Sequence, residues 1–287
     1  MYMISFNINE NNKYFRSENG ILYSYDKKRL LFYPPLLRNF EIENTVTTID
    51  DYACGFSLAE NVVLPSNIKI LNEGAFYNSE VSEIEANLEY VGTYVFANCY
   101  NLGTIKISGL KNMNDGMFSC CSGLMRLELE NSDFTRIGNH AFEFCDLVTN
   151  IYLPDEIEYI GDYAFYGCQR LRDISVESVK SAKYIGDFAF YLCDKLVLEY
   201  LETTAQRIGD YAFARINVQR FYAKASSIGI GAFQYSQLTS FSLTGNITHI
   251  GHEIFYECEK ITSIYFSNDI TSASNYMCYN CINLKKI

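Results

Sequence analysis

The sequence predicts a repeat solenoid, a right-handed coil with short parallel β-strands on one face and turns, 3₁₀ segments or short strands on the other. A unit of the form Ile-Gly-x-x-Ala-Phe recurs about every 22 residues, and apolar residues keep fixed positions around it. One coil of this length cannot bury its apolar edge alone, whereas stacked coils form one continuous core.

The phenylalanine of the unit anchors each coil, and successive anchors lie 20 to 25 residues apart. An apolar residue precedes the anchor by five positions, as Ile160 precedes Phe165, and we expect both side chains to point into the core. In the last coil this position is Ala273. The anchors place about ten to eleven coils in residues 45–287, the last incomplete, at Cys54, Phe76, Phe96, Phe118, Phe142, Phe165, Phe190, Phe213, Phe233, Phe255 and Cys278.

Most coils carry a glycine four positions before the anchor. Because glycine, asparagine and aspartate tolerate a positive φ, the sequence predicts a chain reversal with positive φ at this slot. The aspartate that follows in three coils, Asp162, Asp187 and Asp210, is predicted to cap a short helical or 3₁₀ turn. The slot is filled by Asp50, Asn72, Gly92, Asn114, Gly138, Gly161, Gly186, Gly209, Gly229 and Gly251.

After the turn, apolar residues recur with a spacing of three and then two, as at Leu171, Ile174 and Val176. The final pair alternates, which predicts a short strand whose other residues form an exposed face. Aromatic residues and arginine are the types that interface hot spots favour. The candidate protein-binding residues on this face are Arg126, Tyr152, Tyr200, Arg220, Tyr222 and Tyr265.

The repeat alignment also predicts which exposed residues are neighbours. It places Leu198 beside Arg220 in one column and Tyr200 beside Tyr222 in the next. Glu199 falls in the inward slot that Ile174 fills one coil earlier, where a buried carboxylate would be costly, so we expect the strand to shift or bulge there. The ordinary β-propensity of tyrosine is the alternative explanation for the tyrosines.

Residues 1–44 are predicted to form an N-terminal β-hairpin that caps the first coil. Residues 21–25 and 30–33 are two β-prone runs joined by a polar turn. Pro34 and Pro35 follow the second run, and proline ends a strand because it lacks the N–H that a ladder requires.

One full unit reads Cys168-x-x-Leu171-x-x-Ile174-x-Val176, followed by Ile185-Gly186-Asp187-Phe188-Ala189-Phe190-x-x-Cys193. This unit resembles the BspA-like class of leucine-rich repeats, and the segment at residues 12–35 resembles a hairpin insert common in that family. The resemblance spans nearly the whole chain. It implies a surface-antigen or adhesin type of protein that binds host matrix or plasma proteins such as fibronectin and fibrinogen.

Seven of the ten cysteines follow their anchor by three positions, so their spacing is the repeat spacing. We expect small buried thiols that fill a longer form of the turn and make weak backbone contacts. Zinc sites need close cysteine pairs, whereas stacked coils offer single thiols, so no metal site is expected. An occasional disulfide between coils is sterically conceivable. The seven are Cys99, Cys121, Cys145, Cys168, Cys193, Cys258 and Cys281.

Charge and motifs exclude several functional classes. A formal net charge of -11 argues against nucleic acid or an anionic membrane as the main partner. No apolar run approaches the roughly 20 residues of a membrane-spanning helix. No phosphate loop, nucleophile elbow or dinucleotide fingerprint is present, so we expect no cofactor and no catalytic residue. His140 is predicted to be a half-buried turn residue.

Three functional hypotheses follow. The first is an adhesion or ligand-binding protein that binds a protein ligand through its strand face. The second is an intracellular interaction scaffold, favoured by unpaired thiols and by the lack of a visible secretory signal, so the localisation stays open. The third is a metal-dependent enzyme built on His249, His252 and nearby carboxylates. The C-terminal residues 284–287 lack a polar capping unit, which predicts a truncated chain, a fragment or end-to-end self-association.

Overall fold

A computed structural model describes residues 5–267 and 275–287, so the predicted inward position of Ala273 lies outside the described residues. The chain divides into two compact units, Met1–Phe134 and Thr135–Ile287. Each unit is a parallel β-solenoid in which one coil after another contributes a short strand to each of two sides, as the repeat predicts. We call these the strand side and the turn side.

The first unit begins with three antiparallel strands, β1 (Phe15–Glu18), β2 (Ile21–Ser24) and β3 (Arg29–Phe32). The predicted β2–β3 hairpin is therefore confirmed. β1 was not predicted because the three residues after Phe15 are polar and the strand is mostly exposed, without an alternating apolar pattern. β3 also pairs in parallel with β4 (Thr48–Ile49), which joins the hairpin to the first coil.

Two sheets continue through the first unit. The turn-side sheet extends from β4 through β5 (Ile70–Leu71) to β7 (Tyr90–Val91). The strand-side sheet has the order β6–β8–β9, formed by β6 (Glu83–Asn87), β8 (Thr104–Ser108) and β9 (Arg126–Glu130). All of these pairings are parallel and join residues one coil apart.

The second unit repeats this plan with one turn-side sheet and two strand-side sheets. Its turn-side strands are β10 (Arg136–Ile137), β12 (Tyr159–Ile160), β14 (Tyr184–Ile185), β16 (Arg207–Ile208), β18 (Ser227–Ile228) and β20 (His249–Ile250). Its strand-side strands are β11 (Asn150–Ile151) with β13 (Asp173–Ile174), and β15 (Val197–Thr203), β17 (Asn217–Lys224), β19 (Ser240–Thr244) and β21 (Ser263–Phe266).

A short helix corrects the strand prediction around Val176. β13 ends at Ile174, and the chain turns into α1 (Val176–Ser181) instead of continuing in the sheet. Two serines hold this helix on the preceding coil, because Ser178 Oγ donates to the carbonyl of Pro154 at 2.7 Å and Ser181 Oγ donates to that of Ile157 at 2.9 Å. The helix separates the β11–β13 sheet from the sheet that begins at β15.

The anchor phenylalanines form the core, as predicted. In the second unit their rings are fully buried and stacked one coil apart, at 5.1 Å between Phe165 and Phe190 and 5.3 Å between Phe190 and Phe213. The apolar residues five positions earlier end the turn-side strands, and Ile160, Ile185 and their described equivalents at the other coils are almost all buried. Stacking of neighbouring coils thus buries the apolar residues that a single coil could not bury.

Glycine occurs four positions before the anchor for a different reason from the one predicted. The positive φ values lie two positions before and two positions after the anchor, as at Tyr163 (57°) and Gly167 (73°). The glycine four positions before the anchor, such as Gly209, has no positive φ, but a Cβ there would lie 2.5 Å from the backbone nitrogen of Asp187. Close stacking of neighbouring coils, and not a left-handed backbone, therefore selects glycine at this slot.

The aspartates also act between coils, and not as caps of their own turn. Asp162 Oδ1 accepts the backbone N–H of Asp187 at 2.9 Å, and Asp187 Oδ1 accepts that of Asp210 at 2.8 Å. The segment between is a series of turns without a 3₁₀ helix in the described residues. Each carboxylate satisfies a donor in the next coil, so the prediction of an intracoil cap is wrong.

Candidate protein-binding surface

The strand side of the second unit carries the longest strands of the predicted contact face. β15, β17, β19 and β21 pair in parallel and in register. Tyr200 aligns with Arg220, and Glu202 aligns with Tyr222. The predicted alignment of β15 with β17 is therefore wrong by two residues. Leu198 was predicted to lie beside Arg220, but it aligns with Val218 and is buried.

Compared with the other coils, this coil has two additional residues before the inward positions of β15, and they explain the shift. Leu196 and Leu198 are both buried, and Leu198 occupies the position from which the inward pattern of β15 starts. The next inward residue is Leu201, so both Glu199 and Tyr200 face the solvent. The expected local shift at Glu199 is thus confirmed, and it places the carboxylate outside the core.

Tyr200, Arg220 and Tyr222 form a cluster at the surface. The two tyrosine rings lie 5.7 Å apart between centroids, and the Arg220 guanidinium lies 5.9 Å from the Tyr200 ring centroid. Tyr200 Oη donates to Glu202 Oε2 at 2.9 Å, and this hydrogen bond raises the pKa of Tyr200 above its ordinary value. The tyrosines are 39% and 46% exposed, so their ring area remains available to a partner.

The other candidate residues stand apart from this cluster. Tyr265 lies in register with Ser242, which in turn lies in register with Tyr222, so a serine separates the two tyrosines. Tyr152 follows β11, a strand of the sheet that α1 separates from β15. Arg126 lies in the first unit, where its guanidinium pairs with Glu128 of the same strand.

The turn side of the second unit carries a row of rings that sequence reasoning did not single out. Tyr159 and Tyr184 stack at 4.6 Å, with Arg136 4.0 Å from the first ring centroid and Arg207 5.0 Å from the second. All four are in register on neighbouring strands. The signal was available, because all four residues precede the buried Ile of their unit by one position.

The histidines occupy separate places. His140 is a half-buried turn residue, as predicted, which stacks on Tyr163 at 5.0 Å with its Nδ1 2.9 Å from Glu143 Oε2. His249 and His252 are exposed. Among residues 5–267 and 275–287, no group of three His, Cys, Asp or Glu side chains is placed to hold a metal ion.

The predicted backbone contacts of the cysteines are confirmed. The Cys168 thiol donates to the carbonyl of Phe142 at 3.1 Å, and the Cys193 thiol donates to that of Phe165 at 3.1 Å. Burial raises the pKa of these thiols well above the ordinary value, and it raises the pKa of Cys99 and of Cys258 to about 11. Deprotonation is disfavoured because a buried thiolate loses its hydration.

The last coil departs from the expected pattern of single thiols. Cys278 replaces the anchor phenylalanine, so Cys278 and Cys281 form a C-x-x-C pair, with the Cys281 N–H 3.2 Å from the Cys278 carbonyl. The two thiols also hydrogen-bond to each other, which lowers the pKa of Cys278 and raises that of Cys281. Both are only half-buried.

We expect thiol-specific reagents to distinguish these two classes of cysteine. At pH 8 the native protein should react rapidly with Ellman's reagent at no more than three thiols, those of the half-buried Cys120, Cys278 and Cys281, because the thiolate is the nucleophile. After denaturation in guanidinium chloride all ten should react. A Cys278→Ser variant should lose one rapid equivalent, and rapid reaction of seven thiols in the native protein would contradict the burial described above.

Comparisons with known proteins agree with this architecture. The family model described as BspA type Leucine rich repeat region (6 copies) matches residues 28–147, 135–226 and 183–287. No curated protein gives a significant match. No helix in the described part of the chain is long and apolar enough to cross a membrane.

Three solved bacterial structures are similar to this chain. A leucine-rich repeat protein from Eubacterium ventriosum is 26% identical, with a TM-score of 0.59 over 66% of this chain and 52% of its own, so this chain matches about half of that protein. One from Bacteroides ovatus is 21% identical (TM-score 0.48, over 98% and 75%). A leucine-rich cell surface protein from Faecalibacterium prausnitzii is 15% identical (TM-score 0.43, over 97% and 95%). Because the family model matches most of this chain, the chain belongs to the BspA-type leucine-rich repeat family.

Proposed function

We propose that this chain is a non-enzymatic protein-binding repeat protein that adheres to a host or matrix protein through the strand side of its second unit. Membership of a leucine-rich repeat family supports a protein-binding role, since such solenoids typically serve as interaction scaffolds. The single observation that carries the proposed surface is the exposed cluster of Tyr200, Arg220 and Tyr222.

The chemistry of this cluster suits a protein partner. Tyrosine buries a large area while only two side-chain torsions become fixed, and tyrosine and arginine are both enriched among residues that dominate binding energy. Glu202 holds the Tyr200 hydroxyl, and Arg220 lies over the same ring, so the side chains are ordered before a partner arrives. Such preorganisation lowers the entropy lost on binding.

Substitution of the two tyrosines tests this surface. Binding of the wild-type chain to immobilised fibronectin and fibrinogen would be measured by surface plasmon resonance, and the Tyr200→Ala/Tyr222→Ala double variant is expected to bind at least about tenfold more weakly. Tyr14→Ala is the matched control, because Tyr14 is 75% exposed but lies in the N-terminal segment. Equal binding by the double variant and the wild-type chain would reject this surface.

An intracellular scaffold is the second candidate function, and the buried thiols that donate to backbone carbonyls favour it. Affinity capture from cytosolic and from cell-surface extracts would be compared, with the same double variant as the reference. A partner that is captured only from cytosol, and is lost with the double variant, would favour the scaffold over adhesion.

A further inference from the structure

The strand-side sheet of the first unit has an open edge at β6. β6 pairs with β8 over its full length, but on its other edge only Glu83 is bridged, to Asn61 of the preceding coil. Past Asn61 the chain leaves the sheet and reaches Pro65, which has no N–H to donate. No strand in the described part of the chain covers β6 from Ile84 to Asn87.

The backbone groups at this edge can be assigned from the β6–β8 ladder. The N–H of Gly103 donates to Ser82, and the N–H of Leu88 donates to Ser108, so the even-numbered residues of β6 face β8. Glu85 and Asn87 therefore direct their backbone groups to the open edge. The Asn87 carbonyl accepts Lys69 Nζ at 3.0 Å, which leaves the N–H and carbonyl of Glu85 for another strand.

A groove runs along this edge. It has a volume of about 300 Å³ between Val63 and Glu83, and a cavity of about 360 Å³ adjoins it at the ends of β6, β8 and β9, where Pro65, Asn87 and Glu130 line it. Val63 beside it is 80% exposed. Exposed strand edges of this kind accept an added strand.

The charge at the groove indicates which strand would fit. Glu83 and Glu85 project from the exposed face of β6, and on the other side of β6 they align with Thr104 and Lys106 of β8. Lys106 Nζ lies 3.9 Å from Glu85. Asn61 already lies opposite Glu83, so a strand in the groove would place its own residue opposite Glu85, and cross-strand pairs of opposite charge stabilise a sheet.

We propose that the first unit binds an extended basic peptide segment by strand addition to the open edge of β6, with a lysine or arginine opposite Glu85. This site is separate from the tyrosine cluster of the second unit. The occupant resembles β8 in sequence, because β8 already makes the corresponding pairing on the opposite edge.

A fluorescent peptide that copies residues 103–109, Gly-Thr-Ile-Lys-Ile-Ser-Gly, is the probe, and binding to the full chain is measured by fluorescence anisotropy. We expect saturable binding that weakens at least tenfold when the second isoleucine of the peptide is N-methylated, since its N–H would donate to the Glu85 carbonyl in a parallel strand with the lysine opposite Glu85. Replacing the peptide lysine with glutamate should weaken binding severalfold, and the Glu85→Lys chain should reverse that preference.

A proline variant tests the edge from the side of the protein. Glu85→Pro removes an N–H that the β6–β8 ladder does not use, so it should preserve the circular dichroism spectrum and abolish at least nine-tenths of the peptide binding. The Tyr200→Ala/Tyr222→Ala chain should bind the peptide as the wild type does. Absence of peptide binding, or equal binding of the N-methylated and unmodified peptides, would overturn the proposal.

Discussion

Replacing Phe190 with alanine is expected to lower the free energy of unfolding by about 3 to 5 kcal/mol. The ring is fully buried and stacks on Phe165 at 5.1 Å and on Phe213 at 5.3 Å. Because neighbouring coils are held apart by their own backbone ladders, they cannot collapse into the space that the ring leaves. Urea denaturation followed by circular dichroism measures the loss.

The matched control for this substitution is Tyr152→Ala. Tyr152 is also aromatic and lies in the same unit, but it is 65% exposed and follows a strand of only two residues. Its free energy of unfolding should stay within about 0.5 kcal/mol of the wild-type value, as for most surface substitutions. A loss below about 1 kcal/mol for Phe190→Ala would mean that the anchor column contributes far less than its burial indicates.

Replacing Gly92 with alanine is expected to cost about 2 to 3 kcal/mol, although no positive φ is involved. The added Cβ would lie 2.7 Å from the backbone carbon of Asn72 and 2.7 Å from the nitrogen of Glu73. Backbone atoms of the neighbouring coil cannot rotate away as a side chain can. The two coils would therefore have to separate, and the hydrogen bond from Gly92 N–H to the Leu71 carbonyl, now 2.7 Å, would lengthen.

Gly103→Ala in the same unit separates steric conflict from backbone entropy. The nearest atom to a Cβ at Gly103 is Met125 Cε at 3.7 Å, an ordinary contact, and its φ is not positive. Alanine at such a site restricts the unfolded chain and changes stability by less than about 1 kcal/mol, usually favourably. Similar stabilities for the two variants, measured by urea denaturation, would remove close coil stacking as the reason for the glycine slot.

The candidate surface was predictable in residue type but not in arrangement. The alternation of the strands was sufficient to identify Tyr200, Arg220 and Tyr222 as exposed residues. Their register was not, because two inserted residues before β15 changed which side chains are neighbours. The helix after Ile174 was also missed, since its serine hydrogen bonds reach carbonyls of the preceding coil, about 24 residues away along the chain.

The repeat, the buried anchor column, the stacked parallel strands and the position of the cysteines could all be predicted from the sequence, because each follows from the periodicity within one coil. The contacts between coils could not, because they join residues of different coils that meet only once the chain is folded. The glycine slot is set by backbone atoms of the preceding coil, and Asp162 bonds the next coil instead of its own turn. The open edge of β6 likewise arises because one coil leaves the sheet early, which a pattern of single residues does not reveal.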